Sequence, residues 1–452
     1  MKGISVTRGV RVEAGGESLI SSAGAAMLLR TAALNGLATG LSAGLARWRL
    51  ARSLHDPGKT VLDLAVAIAL GGDCLADVAV VRAQPELFGA VASDPTISRL
   101  MDGLGEDPVA VVAAMRSVRA AVRQRVWGHR CPVGADGAVI IDLDATLVTS
   151  HSEKQGASPN FKRGYGFHPM LAFVDHGAGG TGEPLVGMLR PGKATANDAA
   201  DQIAVLDAAL AQLPEQLRSR VLVRGDTGAG VHEFLWHIHS LGLQYSVGLY
   251  ARQPIVDALA AVPQQAWRAA LDADGLPRSG AQVAELTRWL PAGFTGWPPG
   301  MRVLARRELP HPGAQLRLTD HQGWRITLFA TNTQGGRLAD LEVRHRLRAR
   351  AEDRIRGLKD TGMTNLPLHE FAKNQIWLEL VQLAAELLTW TQLLAWDHHP
   401  ARTWEPKRLR LRLLTVAARL ITTGRRRILR ISCRWPWSDL IIGGHNRLAA
   451  LT

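Results

Sequence analysis

Apolar positions along the chain change period near residue 133. Between residues 18 and 128 they recur at helical spacing with little β-branched alternation. LDLAVAIALGGDCLADVAVVRA (62–83) gives two apolar-periodic segments broken at Gly71-Gly72. SDPTISRLMDGL (93–104) has a helix-start signature: Ser93 or Asp94 as cap, Pro95 in the first turn, and an apolar face through Ile97 and Leu100. Helix, glycine turn, helix and a capped polar helix fit a helix-turn-helix reader, and they fit a small helical bundle equally. MRSVRAAVRQRVWGHR (115–130) adds a basic stripe that either arrangement tolerates. Residues 19–47 are rich in Ala, Leu and Gly, but Arg30 interrupts them. A membrane span needs about 20 consecutive apolar residues, so an amphipathic helix is expected there.

From residue 133 onwards the pattern is that of strands. VIIDLDATLVTS (139–150) reads as one strand, with GYGFHPMLAFVDHG (164–177) and EPLVGMLRPGK (183–193) as two more separated by glycine-rich turns. NDAADQIAVLDAALAQLPEQL (197–217) reads as a helix capped by Asn197. RVLVRGDTGAG (220–230) is a short apolar strand ending at an Asp and a glycine turn, followed by a helix and the strand QYSVGLYA. Three hairpin-linked strands, then helix, strand, helix and strand, predict an α/β fold: a mixed sheet of the ribonuclease-H type. Residues 251–330 interrupt it with strand-like pieces and Trp267, Trp289, Trp297 and Trp324. Residues 340–395 are strongly helical, and the Arg-dense tail 405–435 carries a helical apolar face.

Net charge of +13 over 452 residues changes the picture only because it is clustered. A clustered basic surface serves polyanions, whereas evenly spread arginine would be compositional drift. Cys74, Cys131 and Cys433 are far apart and form no CxxC pair, so neither a zinc module nor a disulfide framework is expected. The N-terminus lacks the order of a secretion signal. A reducing cytoplasm and no membrane are the corresponding expectations.

Asp142 and Asp144 stand two apart in VIIDLDATLV and fit two chemistries. DLDAT matches the DxDxT signature of haloacid-dehalogenase-type phosphotransferases, which use one Asp as nucleophile. That fold is a doubly wound parallel sheet, whereas glycine-linked strands follow here, and Gly230 stands where its late acidic motif would place an Asp. The other chemistry is phosphodiester transfer, in which carboxylates from separate elements hold divalent metal. Asp144 ends the first strand and Asp226 the fourth. A helical acid is available in HRLRARAEDRIRGLKD (345–360), where His345, Arg348, Glu352 and Lys359 are spaced so that Arg348 and Glu352 share a helical face. A solvated helix with i,i+4 ion pairs would look the same. His232, His237 and His239 lack a matching Cys or Glu set for a metal cluster, and the four tryptophans fit a β core or base stacking.

Together, IDLDAT, RGDTGAG, RAEDRIRGLKDTG and SDPTISRL resemble the bacterial insertion-sequence DDE transposases with a β-rich insertion before the glutamate (insertion-sequence family thirteen-eighty, in the ribonuclease-H-like superfamily), across essentially the whole chain. The resemblance implies Asp144, Asp226 and Glu352 as catalytic, metal-binding residues for Mg²⁺ (Mn²⁺ also serving), two ions per site. It implies Arg348 and Lys359 as contacts to transposon-end DNA. His345 stands where relatives commonly have Tyr and is grouped with them. Thr96 and Arg99 are the candidate DNA contacts of the N-terminal region, and Thr146 is an expected support of Asp144; Asp142, on the same strand face, either supports Asp144 in the same way or shares its metal. The separation of Asp226 from Glu352 is then explained by the insertion, which in such enzymes contributes DNA contacts and can hold a flipped base or hairpin end.

On this resemblance the chain divides into a helical DNA-binding region (1–130), a first core segment (131–250), a β-rich insertion domain (251–332), a second core segment with the Glu helix (333–400) and a basic DNA-contacting tail (401–452). Expected partners are double-stranded DNA, as element ends and target, and a second copy in a synaptic homodimer in the bacterial cytoplasm. The expected reaction cuts at the ends and joins the 3′-hydroxyl to target. A structure-specific nuclease or resolvase, and a domesticated non-catalytic DNA-binding protein, stay open as alternatives.

Overall fold

A computed structural model describes residues 15, 18–133, 137–177, 182–272, 274–292, 294–310, 313, 323–424 and 426–451. Most of the N-terminal stretch read for a secretion signal lies outside these residues, as do 311–312 and 314–322 of the β-rich insertion. A short strand β1 (Leu19–Ile20) leads into α1 (Ala26–Leu34) and α2 (Leu37–Gly44). Asp56 caps α3 (Pro57–Ala69) by accepting from the Lys59 amide at 2.8 Å, and α3 is buried almost throughout. It stops at Gly71, whose φ of +111° suits glycine alone. Helix α4 (Asp94–Gly105) starts as its sequence predicts, with Ser93 as cap, Pro95 in the first turn and Ile97, Met101 and Leu104 buried. Helix α5 (Pro108–His129) follows, capped by Asp107.

The core sheet begins with β2 (Val139–Ala145) and continues, after a small three-stranded sheet, with β3 (Met170–Val174) and β4 (Glu183–Met188). Then come α6 (Ala199–Ala211), β5 (Val221–Gly225), α7 (His232–Ser240) and β6 (Gln244–Gly248). Their order is β4-β3-β2-β5-β6, with β3 antiparallel to both neighbours and β2, β5 and β6 parallel. This is the ribonuclease-H arrangement. Two local expectations change. The 164–177 stretch splits at His168-Pro169, where proline has no amide for a ladder. Asp198, not Asn197, caps α6, accepting from the Asp201 amide at 3.1 Å.

After α8 (Gln253–Ala261), strands β7 (Arg268–Leu271), β8 (Pro277–Glu285), β9 (Arg302–Glu308) and β10 (Arg325–Thr331) form an antiparallel meander. Its last strand pairs with β6, Thr331 opposite Ser246, so the meander extends the core sheet to nine strands. Helix α9 (Leu338–Arg346) packs on β7 and β8. A 3-10 turn (Leu347–Ala349), α10 (Arg350–Leu358) and a π turn (Lys359–Met363) lead to the 25-residue α11 (Phe371–Ala395). Helix α11 is nearly all buried and packs on α3, α5 and β4. Helix α12 (Ser438–Ala450) closes the chain against α1 and α11. No helix among the described residues is long and apolar enough to cross a membrane.

Two charged segments differ from their sequence appearance. The stripe on α5 is not a solvated face. Arg119 and Arg123 are fully buried, Arg119 paired with Glu379 and Glu386 of α11 (2.7 Å to Glu386) and Arg123 with Glu386 and Glu183 (3.1 Å to Glu183). Glu183 also accepts from the Trp127 and Trp390 indoles at 2.6 Å. Burial opposes its charge, but Arg123 and the bonds from His176 and Trp390 prevail and hold its pKa down at about 2. The tail is not one helix either. Past a short helical stretch it forms the hairpin β11 (Ala418–Thr423) and β12 (Arg426–Ile431), with β11 also pairing β1. Gly424, at φ +56°, makes the turn, and Leu420, Leu429 and Ile431 alternate inward with period two.

Candidate active site

Parallel pairing of β2 with β5 sets Leu143 opposite Gly225, so Asp144 and Asp226 emerge side by side at the carboxyl ends of neighbouring strands. Asp226 caps the turn Thr227–Ala229, accepting from the Gly228 amide at 2.9 Å. The turn packs tightly on β6: a Cβ on Gly230 would lie 2.4 Å from the Gly248 carbonyl oxygen. Asp144 accepts from the Ala145 amide at 2.8 Å. Burial pushes its carboxyl up to a pKa of about 7, the charge of Asp226 adds to this and that of Glu352 adds further, while the Ala145 amide and Arg348 oppose. All three acids and Arg348 thus belong to one electrostatic cluster. Glu352 is exposed in the first turn of α10 and carries no hydrogen bond or ion pair among the described residues.

Behind this cluster lies a buried ionic lattice that the sequence did not reveal. Asp142, 1% exposed, accepts from Arg224 of β5 (2.6 and 2.8 Å) and from Arg354 of α10 (2.8 Å). Asp175, just past β3, accepts from the same two arginines at 2.7 Å each. Burial opposes the Asp175 charge, but Arg354, Arg224 and Arg350 outweigh it and hold its carboxyl below the usual range. Asp142 thus has both oxygens taken up by guanidinium groups. It ties the strand of Asp144 to the strand of Asp226 and to the helix of Glu352. The available signal was an Arg in the apolar strand VLVRG opposite an Asp in the apolar strand VIIDLD.

Arg348 sits half-buried in the 3-10 turn before α10, within electrostatic reach of Asp144. Lys359 starts the π turn, partly buried, with burial and the charge of Lys162 holding its pKa below the usual range. Lys162 joins it as a second cation that sequence reading missed. His345 differs from the DNA contact expected of it. It is buried, its ring stacks on Phe329 at 4.4 Å, and Nδ1 lies 3.1 Å from the Ser246 hydroxyl. Burial, followed by the charge of Arg348, pushes its pKa down to about 3, so it offers no charge to a phosphate. Thr146 is half-buried, its amide bonded to the Pro169 carbonyl. Thr96 and Arg99 meet on α4 at 3.4 Å, beside a cleft of 430 Å³ lined by Trp48, Arg52 and His55.

Remaining candidates resolve into packing. Trp267 is buried, and the Arg307 guanidinium lies between Trp267 and Trp324, 4.1 and 4.7 Å from their rings. His232 stacks on Trp297 at 3.7 Å, and His237 pairs with Asp207 at 2.7 Å, so these histidines are spent on separate contacts. Among the described residues, the one trio of possible ligand side chains with atoms within 4.8 Å of each other is Asp73, Cys74 and Asp77. There Asp77 caps its own turn, accepting from the Asp73 and Cys74 amides. The three carboxylates of the candidate site are less tightly drawn together. Their oxygen-only donor set, with burial and then the charge of Asp226 raising Asp144 and with Glu352 unpaired among the described residues, nevertheless fits a hard divalent cation.

Comparison with known proteins adds the following. The sequence profile of the family described as transposase DDE domain group 1 matches residues 2–452. No curated protein matches the chain. Among solved structures, the fold has a TM-score of 0.41 to a piggyBac transposase synaptic complex with hairpin DNA, at 10% identity, over 86% of this chain and 80% of that one.

Proposed function

The chain belongs to the transposase DDE domain group 1 family, and from that premise we propose that Asp144, Asp226 and Glu352 are the catalytic carboxylates of its DNA-cutting and DNA-joining reaction. The protein is a DDE-type DNA transposase, a metal-dependent enzyme with a ribonuclease-H-like core. The observation that carries the residue assignment is the electrostatic coupling of Asp144 to both Asp226 and Glu352, from two strand ends and one helix. Like charges are gathered this way at a cost in stability, which a bound cation offsets.

Divalent metal, Mg²⁺ with Mn²⁺ as substitute and two ions per site, would be held by Asp144, Asp226 and Glu352, and when bound supplies Lewis-acid stabilisation to the attacking and leaving oxygens. The protein's own groups do the rest. Arg348 donates to a phosphate oxygen of the element end beside Asp144, and Lys359 with Lys162 holds the adjoining backbone. Arg354 and Arg224 keep the three acids in register through Asp142. Water attacks the end phosphodiester first, and the freed 3′-hydroxyl then attacks target DNA. Thr96 and Arg99 on α4 belong to the N-terminal DNA-binding region (1–130), and the sheet-extending meander is the β-rich insertion (251–332) between the two core segments (131–250 and 333–400). We propose further that the protein belongs to the bacterial insertion-sequence subgroup, family thirteen-eighty, and acts in the cytoplasm as a homodimer that pairs two ends.

The test incubates full-length protein with a labelled duplex carrying the DNA that flanks its gene, in Mg²⁺ or Mn²⁺. Cleavage leaving 3′-hydroxyls, followed by joined products, both abolished by chelator, is expected. Cleavage without joining would make it a structure-specific nuclease. Binding without cleavage would make it a non-catalytic DNA-binding protein.

A further inference from the structure

The ribbon β11–β12 has two unlike faces. Ala418, Leu420, Leu429 and Ile431 turn inward onto Ile20 and Leu87. Cross-strand register places Arg419 opposite Arg430, Ile421 opposite Ile428 and Thr423 opposite Arg426 on the outer face. Arg419, Arg426 and Arg430 are all exposed, and none has an ion pair among the described residues. Like charges directly across a ladder are destabilising. Nothing in the hairpin relieves them, because ARLITTGRRRILRI (418–431) contains no Asp or Glu. Three strand arginines of the nine-stranded sheet, by contrast, face acids: Arg302 with Glu285 at 2.7 Å, Arg306 with Glu308 at 3.1 Å, and Arg278 with Glu308 at 3.3 Å. On the inward face Arg427 donates to the Glu86 carbonyl, which anchors the ribbon to the helical region.

We propose that the outer face of this hairpin is a phosphate-gripping surface for duplex DNA, with Arg419, Arg426 and Arg430 as its contacts. It lies on a different element from Arg348 and Lys359. The inference rests on the DNA-handling function proposed above and names a further place where the chain holds its substrate. A two-stranded ribbon of six-residue strands is about 20 Å long, and B-DNA admits such a ribbon in a major groove about 12 Å wide. Phosphates on either side would then neutralise the Arg419–Arg430 repulsion. The chemistry favours DNA over a lipid surface: the apolar residues of the hairpin are mostly committed inward, leaving Ile421 and Ile428 between the cations.

The experiment measures binding of full-length protein to a non-cognate 30-base-pair duplex across a salt series, for wild type, the triple R419Q/R426Q/R430Q and the triple Arg→Lys. Three lost phosphate contacts flatten the plot of log affinity against log salt by about 2.7. Between 50 and 200 mM salt the Gln triple should therefore lose roughly forty-fold less affinity than wild type. The Lys triple should keep the wild-type slope. Melting temperature of the Gln triple should hold or rise, since like charges are removed, and a fall would mark the arginines as structural and overturn the proposal. An unchanged slope in the Gln triple overturns it too, and if wild type still cleaves DNA the transposase assignment survives. If wild type binds no duplex at any salt, both fall. Loss of binding to phosphatidylserine vesicles with an unchanged DNA slope would make the ribbon a lipid contact and overturn the proposal.

Discussion

Arg354 of the glutamate-bearing helix donates to Asp142, two residues before Asp144, at 2.8 Å with both side chains buried. This bond, with its counterpart from Arg224, couples the position of one of the three acids proposed as catalytic to the other two. In the buried part of this lattice Asp142 and Asp175 face Arg224 and Arg354, while the partly exposed Arg350 reaches Asp175 from the rim at 3.4 Å. Asp142→Asn should therefore leave one guanidinium uncompensated and cost about 3 kcal/mol. The Asp142→Asn/Arg354→Gln pair should restore the wild-type charge difference of the buried lattice and recover at least about 1 kcal/mol relative to the sum of the single changes. Denaturant unfolding of the four proteins of this cycle measures it, and strict additivity would sever the link.

Asp144 contributes to the pH response of the metal-free protein. Its folded pKa of about 7 exceeds the ordinary 3.8, so the stability it contributes is complete below about pH 4 and is lost as pH rises through about 7. Asp144→Asn should flatten that decline and raise the metal-free melting temperature at pH 8. The group is partly exposed, so solvent screening discounts the gain to about 1 kcal/mol. Mg²⁺ should stabilise wild type more at pH 8 than at pH 6, because binding displaces a proton. Thermal scans at both pH values, with and without metal, decide it.

His345→Ala should cost about 2–3 kcal/mol, from the Phe329 stack and the Ser246 hydrogen bond. It should leave the salt slope of DNA binding unchanged, whereas Arg348→Ala should reduce that slope by about 1. A reduction of that size in the His345 variant would place its ring on a phosphate and contradict its buried position.

Glu183 holds α5 and α11 to the sheet through Arg123, Trp127 and Trp390. Its pKa of about 2 lies below the ordinary 4.5, so its stabilising effect is present above about pH 4.5 and is lost as pH falls through about 2. Glu183→Gln should cost about 3 kcal/mol at pH 7. The difference from wild type should shrink in acid, as read from urea unfolding at pH 7 and pH 3.

What could be read along the chain was short-range. Asp144 and Asp226 announce themselves as acids ending apolar strands, and the ribonuclease-H order follows from turns and helix caps between consecutive elements. Interior ion pairs did not announce themselves. Arg116, Arg119 and Arg123 repeat at the spacing of a solvated helix face, and only Glu379 and Glu386, the two acids of α11, hint that their partners are inside. Arg224, Asp175 and Arg354 are joined across separations that no local period encodes. His345 looked available because Phe329, its cover, comes from β10, sixteen residues earlier in the chain. The tail 405–435 satisfies a helical period as well as a strand period, and Gly424 with its β-branched neighbours decided for the hairpin.

The most direct measurement compares cleavage of the gene-flanking duplex in Mg²⁺ or Mn²⁺ by wild type, Asp144→Asn, Asp226→Asn and Glu352→Gln, with binding to the same duplex measured alongside. Each substitution is expected to lower the cleavage rate by at least about a thousand-fold, roughly 4 kcal/mol of transition-state stabilisation, while the dissociation constant stays within about threefold, under 1 kcal/mol. Cleavage by any one variant within about tenfold of wild type, at full occupancy of the DNA, would remove that acid from the catalytic set and contradict the three-carboxylate site.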